Sequence, residues 1–293
     1  MELTGVDSRL LDTRRAFDSV AAEYDGPRGN NALIQRMRQQ MWRTLTDLFP
    51  RGARLLDLGC GPGLDAVYLA ANGYEVVATD WSPRMVEVAR SRAAAAGLHI
   101  RAEGLGIHEL ARLEGERFDG IYSNLGPMNC APDLTAVARA CAGLLEPGGR
   151  LVVSVMGRIC PWEFVYYALR GRWTRARIRS ARGIVPVNLN RHTVWTAYHT
   201  PREFFRAFAG EFELTTYRAL GLFLPPPYLI RVYERHPRLC ALLGWLDDRL
   251  GGLPLVRDGG DHFLAVLTRR PRRAASDRPG SPRSPSRERL PAS

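Results

Sequence analysis

The sequence has 293 residues, 45% of them apolar and 24% charged, so the chain can bury a sizeable core. Its formal net charge is +11, and every basic residue apart from histidine is arginine. The lack of lysine excludes a Schiff-base or phosphate-loop lysine. No apolar run approaches the length of about 18 residues that indicates a transmembrane helix.

The N-terminal segment is charged and lacks the apolar run of a signal peptide, which predicts a cytoplasmic protein. The five cysteines form no C-x-x-C pair. Their odd number and wide spacing favour reduced, mostly buried thiols, with no disulfide framework and no metal site.

The first half of the chain alternates helical and strand patterns. Apolar residues at helical spacing or in short runs predict helices at 31–48, 63–72, 83–96 and 133–145, and strands at 54–58, 75–79, 118–123 and 150–155. Ser82 and Pro83 suit the start of the third of these helices. The alternation predicts a parallel sheet covered on both faces, with the strand C-termini along one edge.

After residue 156 the alternation weakens. Residues 161–182 show a helical pattern rich in aromatic residues and arginine, and the pattern then predicts a strand at 192–198, a helix at 201–209 and strands at 211–218 and 261–268. A mostly helical insertion separates the last two strands. We therefore divide the chain into an N-terminal lid (1–50), a core (51–156), a C-terminal half with cap insertions at about 160–190 and 221–258 (157–268) and a disordered basic tail (269–293).

The turn after the first predicted strand has glycines at alternate positions, namely Gly59, Gly61 and Gly63. The dinucleotide-binding pattern G-x-G-x-x-G would need its third glycine where Leu64 stands. Asp57 comes just before the glycines, and Asp80 ends the next strand, where a carboxylate can accept hydrogen bonds from ribose hydroxyls. These spacings indicate a nucleotide-like cofactor.

The segment "LLDLGCGPGLDAVYLAANGYEVVATDWSPRMVEVAR" resembles the cofactor-binding half of class I S-adenosylmethionine-dependent methyltransferases, in their small-molecule, methyltransferase type 11-like branch. "FDGIYSNLGPMN" and "LLEPGGRLVVSV" resemble the family's fourth strand and the turn before its fifth, and "AFDSVAAEYD" resembles its lid. The match covers residues 16–156 in order. It implies an α/β fold, a Rossmann-like seven-stranded mostly parallel sheet with helices on both faces, here with helical caps added.

The resemblance also implies the cofactor, S-adenosyl-L-methionine, and the residues that bind it. In the family, the residue at Asp80 binds the ribose, those at Asn124 and Leu125 face the sulfonium, and the lid residue at Tyr24 closes over the methionyl end. The family often reads adenine with an acidic residue where this chain has Gly106 and Ile107, which is a departure. The implied cofactor-binding residues are Tyr24, Asp57, Gly59, Cys60, Gly61, Gly63, Asp80, Trp81, Ser82, Gly106, Ile107, Asn124 and Leu125.

The methyl acceptor is less constrained, because the fold fixes the donor and not the acceptor. Aromatic residues of the caps suit a flat or lipid-like acceptor, although they could equally pack the caps' own core. The predicted substrate-binding residues are Asn129, Trp162, Tyr166, Phe223 and Tyr228. His199 and His192 are weak candidates for a general base, with a structural role as the alternative.

Six arginines fall between residues 170 and 182 with no acid among them, and eight more lie in the tail. They could contact an anionic surface peripherally, or form a solvated face. The sequence thus favours a methyltransferase acting on a small, apolar, aromatic or lipid-like acceptor at oxygen, nitrogen or carbon. A nicotinamide-dependent oxidoreductase, a binding protein and a nucleic-acid methyltransferase stay open as alternatives, although no nucleic-acid module is recognisable.

Overall fold

The computed structural model describes residues 5–27 and 29–271. Nine strands lie in these ranges: β1 (Arg54–Leu58), β2 (Glu75–Asp80), β3 (Arg101–Gly104), β4 (Phe118–Ser123), β5 (Leu145–Met156), β6 (Ile184–Leu189), β7 (His192–Ala197), β8 (Phe212–Leu220) and β9 (His262–Arg269). The α-helices of the same ranges are α1 (Gly5–Val20), α2 (Ala32–Leu48), α3 (Leu64–Ala71), α4 (Pro83–Ala95), α5 (Leu134–Leu144), α6 (Pro161–Ala168), α7 (Trp173–Ala176), α8 (Pro201–Phe208), α9 (Ile230–Arg235) and α10 (Pro237–Leu250). Short 3₁₀ helices occur at Leu110–Leu113, Pro127–Cys130, Ile178–Ser180 and Pro227–Leu229.

Seven strands form the central sheet, in the order β3-β2-β1-β4-β5-β9-β8. Strands β1 to β5 are parallel, and β9 runs antiparallel to both β5 and β8. Buried side chains of α2, α3 and α4 pack on one face of the sheet, and those of α5 and α8 on the other. The predicted mostly parallel sheet with helices on both faces is confirmed.

Sequence features set the starts of several helices. The Asn31 side chain accepts hydrogen bonds from the first turn of α2, and Ser82 caps α4 with a 3.1 Å bond from the Met85 amide. Thr200 and Glu203 form a reciprocal capping box at the start of α8. The Ser82 cap starts α4 directly after the end of β2, which fixes the turn that contains Asp80.

The strand predicted at 192–198 is present as β7, but it lies outside the central sheet. It pairs with β6 in a separate two-stranded hairpin, and β3 forms the edge of the central sheet. The hairpin closes through Asn190 and Arg191, whose φ angles of 48° and 66° lie in the left-handed region that tight hairpin turns require. Strand β6 lies within the helical cap predicted at about 160–190, so that segment is helical only in part.

The helical reading of 161–182 was correct only in part. Gly171, with a φ of 67°, follows the end of α6, and the chain continues as the four-residue α7 and a 3₁₀ turn. The insertion between β8 and β9 is mostly helical, as predicted, and contains α9 and α10. Residues 272–293 of the predicted tail lie outside the described residues. Within the described ranges, none of the helices has the length and apolarity needed to cross a bilayer.

Candidate active site

The glycine turn after β1 adopts left-handed backbone at each glycine, with φ of 78° at Gly59, 53° at Gly61 and 79° at Gly63. A Cβ at Gly63 would lie 2.7 Å from the Ala89 Cβ, and one at Gly59 would lie 2.5 Å from the Pro127 side chain. At Gly61 a Cβ would have no described atom within 4 Å. The outer glycines therefore permit close packing of α4 and of the turn after β4, while Gly61 leaves open space above the turn.

Asp80 lies at the end of β2 beside this turn. Its Oδ2 accepts a 2.9 Å hydrogen bond from the Gly61 amide and its Oδ1 a 2.8 Å bond from the Ser82 amide. Burial raises the pKa of Asp80 to about 6, and the two amide bonds oppose that increase. Each carboxylate oxygen keeps a further lone pair that could accept a ligand hydroxyl.

A buried network around Asp65 joins three elements at the same edge. Asp65 Oδ2 lies 2.6 Å from Arg38 Nη1 of α2 and accepts a 3.1 Å bond from Asn124 Nδ2 after β4, and Asp65 Oδ1 accepts a 2.6 Å bond from Trp42 Nε1. Arg38 Nε and Asn124 Oδ1 are buried and have no hydrogen-bond partner among the described residues. Two unpaired polar atoms so close to the glycine turn indicate a place where a polar ligand would complete the hydrogen bonding.

Arg38, Trp42 and Asp65 were not predicted as site residues from the sequence. The i, i+4 spacing of Arg38 and Trp42 places them on one helix face, and Asp65 follows the glycine turn by two residues, so a signal was present. It could not be recognised because the partner of each residue lies on another element.

Asp57 has a different environment from Asp80. It is 1% exposed, and its Oδ2 accepts a 2.9 Å hydrogen bond from the Tyr122 hydroxyl of β4. Burial raises the pKa of Asp57 well above its usual range, and the nearby charge of Asp65 adds to the increase. Asp57 therefore ties β1 to β4 directly beneath the glycine turn.

The backbone after β4 is strained where the site needs a sharp turn. Leu125 has a φ of 60°, which is uncommon for a residue other than glycine, and Gly126 follows with 102°. Leu125 packs against the core cluster that contains Tyr122. A left-handed non-glycine residue at this position is consistent with a functional constraint on the turn.

The residues expected near adenine lie together. The rings of Trp81 and His108 meet edge to face with centroids 4.8 Å apart, and a Cβ at Gly106 would lie 3.0 Å from Trp81 Cδ1. Glu109 Oε2 accepts a 2.8 Å bond from the Gly106 amide, and Ile107 packs half-buried against the core. Cys60 is buried within the glycine turn, its thiol 3.4 Å from the Gly61 carbonyl oxygen.

Tyr24 lies in the segment between α1 and α2, its ring centroid 6.0 Å from that of Phe17. Burial raises the pKa of Tyr24, with Arg38 opposing and Asp80 adding to the increase, so the hydroxyl is within electrostatic range of both residues. The next residue, Asp25, forms an ion pair with Arg92 of α4. The Asp25–Arg92 ion pair thus fastens the segment that contains the predicted lid residue to α4, the helix that follows Asp80.

The two candidate histidines are separated. His199 follows β7, and its residue bridges to Gly157 at the end of β5, on the edge of the sheet that carries the site. Burial lowers the pKa of His199, and the Arg158 charge adds to the decrease, so the imidazole is neutral at pH 7. His192 is exposed near the hairpin turn, where Asn190 contacts Ser19 of α1.

The cap residues predicted to bind substrate contact other residues of the caps. Trp162 Nε1 donates a 2.6 Å bond to the Phe223 carbonyl, and the Tyr228 hydroxyl donates a 2.7 Å bond to Glu163. The Tyr166 ring lies under the Arg170 guanidinium, at 3.6 Å from its carbon. The structure therefore places these side chains where the two cap segments meet.

Asn129, the fifth predicted substrate residue, is 1% exposed. Its amide nitrogen donates to the carbonyls of Met156 and Ala197, and its amide oxygen accepts a 2.8 Å bond from the Met156 amide. It therefore fastens the turn after β4 to the end of β5 and to β7.

A second buried network holds the first cap on the sheet edge. Arg179 Nη2 lies 2.5 Å from Asp261 Oδ1 and 2.9 Å from Glu163 Oε2, and its Nη1 donates to the carbonyls of Gly157 and Asp261. Ligand atoms of Cys160, Glu163 and Asp261 lie within 4.8 Å of one another. Both carboxylates are already bonded to the guanidinium, and the Arg179 charge lowers the pKa of Asp261 against the effect of burial.

The sheet order, the glycine turn after β1 and the acid at the end of β2 define a Rossmann-like α/β protein with a nucleotide-type ligand site at the C-terminal ends of its strands. A family profile described as "Methyltransferase domain" matches residues 55–149. A ubiquinone biosynthesis O-methyltransferase of Cereibacter sphaeroides (strain ATCC 17025 / ATH 2.4.3) is 33% identical over 170 residues, which cover 54% of this chain and 68% of the relative. The chain belongs to the class I S-adenosylmethionine-dependent methyltransferase family, as its sequence motifs predict, and S-adenosylmethionine is the cofactor of that family.

Other relatives agree on the fold. A ubiquinone biosynthesis O-methyltransferase of Xanthomonas axonopodis pv. citri (strain 306) is 39% identical over 148 residues, so the match spans 50% of this chain and about three fifths (61%) of the relative. The 1,6-didemethyltoxoflavin-N1-methyltransferase of Burkholderia thailandensis superposes with a TM-score of 0.53 at 19% identity, over 92% of each chain. The N-methyltransferase NodS of Bradyrhizobium japonicum WM9 superposes with a TM-score of 0.54 at 15% identity, over 89% of this chain and 99% of NodS.

Proposed function

We propose that this protein is an S-adenosylmethionine-dependent methyltransferase that methylates an oxygen atom of a small, flat or lipid-like acceptor. The observation that carries the proposal is the convergence of Gly61, Asp80, Arg38 and Asn124 at one edge of the sheet. The two relatives named above that share 33% and 39% sequence identity with this chain are O-methyltransferases, which favours oxygen among the acceptor atoms.

The residues present fit the cofactor. Gly61 leaves space that a side chain would fill, and the buried Arg38 Nε and Asn124 Oδ1 are unpaired among the described residues. A ligand with a carboxylate and an amino group at one end could pair with these two atoms. Asp80, which already accepts two amide bonds, could accept ribose hydroxyls on its free lone pairs.

Each remaining predicted contact has a place in this proposal. Trp81, Ser82, Gly106 and Ile107 would border the adenine, and the Glu109 carboxylate, which accepts the Gly106 amide, would lie nearby. Tyr24 would cover the methionyl end from the lid. Asp57, Gly59, Cys60, Gly63 and Leu125 would shape the turn rather than contact the ligand through their side chains.

When bound, the cofactor supplies a methyl group that is already activated on a sulfonium. The protein therefore mainly orients the acceptor and excludes water, and a base is needed only where the acceptor must lose a proton. Neutral His199 at the sheet edge can accept such a proton, and His192, exposed on the hairpin, is less suitably placed. No observation favours the nicotinamide or nucleic-acid alternatives.

The test is transfer of a labelled methyl group from S-adenosylmethionine to small molecules of a cell extract, followed by identification of the labelled product. A labelled small molecule carrying a new methoxy group would support the proposal. Label found only in nucleic acid, or no transfer despite tight binding of S-adenosylhomocysteine, would contradict it.

We further propose peripheral contact with anionic surfaces through an Arg-rich cap face, which we define as Arg170, Arg172, Arg175, Arg177 and Arg182. All five are exposed, whereas Arg179 of the same run is buried in its ion network. Within the described ranges, every exposed large apolar side chain except Leu214 lies between residues 159 and 184 or between 228 and 255. Arginine interspersed with exposed apolar side chains is the composition of an interfacial surface.

A further inference from the structure

A shallow, open groove lies between α1, the turn after β4 and the β6–β7 hairpin. Leu10 and Thr13 line it from the helix, Cys130 and Pro132 from the turn, and Ile184 and Trp195 from the hairpin. Its walls are mostly apolar. Two of the three walls come from elements outside the central sheet, so the groove belongs to the lid side of the molecule.

The helix wall of the groove is joined to the cofactor side of the site. The Ser82 hydroxyl donates a 2.5 Å hydrogen bond to Asp18 of α1, and the Ser82 amide donates to Asp80. On the same helix, Thr13 Oγ1 accepts a 3.1 Å bond from the Trp195 amide of the hairpin. Helix α1 therefore runs from the turn that holds Asp80 to the wall that contains Trp195.

The floor of the groove approaches the same place from the other side. Cys130 ends the turn that begins directly after Asn124, and Asn129 fastens that turn to β5 and β7. The floor of the groove is therefore the turn that follows Asn124, the residue that the family resemblance places beside the methyl group.

The outer end of the groove carries a positive charge. Arg9 lines it, and its guanidinium carbon lies 5.0 Å from the centre of the Trp195 ring. Among the lining residues that the structure describes, Arg9 is the charged one. An indole face with a guanidinium beside it suits an aromatic molecule that bears a negative charge at its outer end.

We propose that this groove binds the methyl acceptor, and that the acceptor is a flat apolar molecule with an anionic substituent that meets Arg9. The inference rests on the proposed function and names the substrate class of that same site. The acceptor site is then the groove and not the aromatic residues of the caps, because Trp162, Tyr228 and the Phe223 carbonyl form contacts between the two caps.

The test uses two nearly isosteric fluorescent probes, 8-anilinonaphthalene-1-sulfonate and its neutral analogue N-phenyl-1-naphthylamine, titrated with and without saturating S-adenosylhomocysteine. The wild type should bind the sulfonate more tightly than the neutral probe. Trp195→Ala should weaken both probes by about tenfold, as expected for loss of one aromatic wall. Arg9→Gln should weaken the sulfonate alone by about threefold, which removes the preference.

Ile184→Glu is a second variant, and it should fold normally because this side chain is 42% exposed and its loss leaves no core cavity. It should repel the sulfonate and affect the neutral probe less. Trp173→Ala, an exposed tryptophan of the first cap, is the matched control and should bind both probes like the wild type.

Unchanged binding in Trp195→Ala, or a loss confined to Trp173→Ala, would overturn the groove assignment. Calorimetry with S-adenosylhomocysteine alone separates this failure from failure of the proposed function. A wild type that binds no S-adenosylhomocysteine contradicts the methyltransferase proposal, whereas normal binding with unaltered probe titrations contradicts only the groove.

Discussion

Arg38 of α2 and Asp65 of α3 form a buried ion pair, with Nη1 2.6 Å from Oδ2 and side chains only 11% and 7% exposed. The pair fastens α2 to the first turn of α3, directly after the glycine turn. Asp65 also accepts hydrogen bonds from Trp42 and Asn124, so its charge is fully compensated. Arg38 Nε has no hydrogen-bond partner among the described residues. The arginine is therefore both a structural partner and a ready donor to a ligand.

Arg38→Gln should weaken S-adenosylhomocysteine binding by at least about tenfold, because a charged donor at the carboxylate end is lost. It should also lower the free energy of unfolding by about 3 kcal/mol, since Asp65 is left as a buried unpaired charge. Calorimetry and thermal unfolding measure the two effects. Arg36→Gln is the control, because Arg36 pairs with Asp248 on the far side of α2. Equal losses in both variants would refute the assignment.

The glycine turn allows stability and binding to be separated. Gly63→Ala should lower the free energy of unfolding by about 2–4 kcal/mol, because its Cβ would lie 2.7 Å from Ala89 Cβ and φ is 79°. Gly61→Ala should cost only about 1 kcal/mol, because no described atom lies within 4 Å of the added methyl.

In ligand binding the order of the two variants should be reversed, with Gly61→Ala losing more affinity than Gly63→Ala. The methyl of Gly61→Ala would fill space that we assign to the cofactor, so S-adenosylhomocysteine affinity should fall strongly in a protein that is otherwise folded. Denaturant unfolding and calorimetry on each variant check the pair. Full affinity in folded Gly61→Ala would place the ligand elsewhere.

The sequence predicted the cofactor half of the fold closely. Strand β1 and the starts of α3 and α4 lie within one residue of expectation, because the apolar runs, Ser82 and the glycine turn are local signals. The sheet position of β7 was not predictable in this way. The residue pattern of a strand does not show which strand it pairs with. Here the left-handed turn at Asn190 and Arg191 allows β7 to pair with β6 as a hairpin.

The site shows the same division. Asp80 and the glycines could be predicted because they end or follow two adjacent parallel strands, so their spacing in the chain places them side by side. The Arg38–Asp65–Asn124 network depends on contacts between α2, α3 and the end of β4, and Arg179 could not be distinguished from the exposed arginines beside it. Tertiary packing decides which of these side chains are buried and paired. The local sequence, such as a run of arginines, does not show which one will be buried.

Arg179→Gln should lower the free energy of unfolding by about 3–5 kcal/mol, because Glu163 and Asp261 would remain as buried carboxylates without their shared cation. Arg177→Gln, two residues away and exposed, should change it by less than about 0.5 kcal/mol. Denaturant unfolding compares the two. A similar small effect in both would show that the cap does not depend on the network.

The Arg-rich cap face predicts binding to anionic vesicles. The protein should sediment with phosphatidylglycerol-containing vesicles, less so at high salt, and weakly with pure phosphatidylcholine. Replacing Arg172 and Arg175 together by Gln should weaken that binding by about tenfold or more, at roughly 1 kcal/mol per charge. A double variant of Arg139 and Arg206, which are exposed on α5 and α8, is the control of equal charge. Equal losses would indicate an effect of net charge alone.

Asp80 predicts how cofactor binding depends on pH. Its pKa is raised from 3.8 to about 6 in the folded protein, so between these values the folded state binds more protons than the unfolded state. The contribution of Asp80 to the free energy of unfolding therefore falls as pH rises through this window. Ribose hydroxyls donate to the ionised form, so affinity for S-adenosylhomocysteine should change in the opposite direction and fall by about tenfold from pH 7 to pH 5.

Asp80→Asn isolates this titration, because the amide has a similar shape and no proton equilibrium in the range, although its single oxygen can accept only one of the two backbone bonds that Asp80 receives from Gly61 and Ser82. The variant should bind S-adenosylhomocysteine more weakly than the wild type at pH 7, and its affinity should vary less between pH 7 and pH 5. Calorimetry at several pH values measures both slopes. Equal slopes in the two proteins would assign the dependence to another group, and Asp57, whose pKa burial also raises, would be the next carboxyl to substitute.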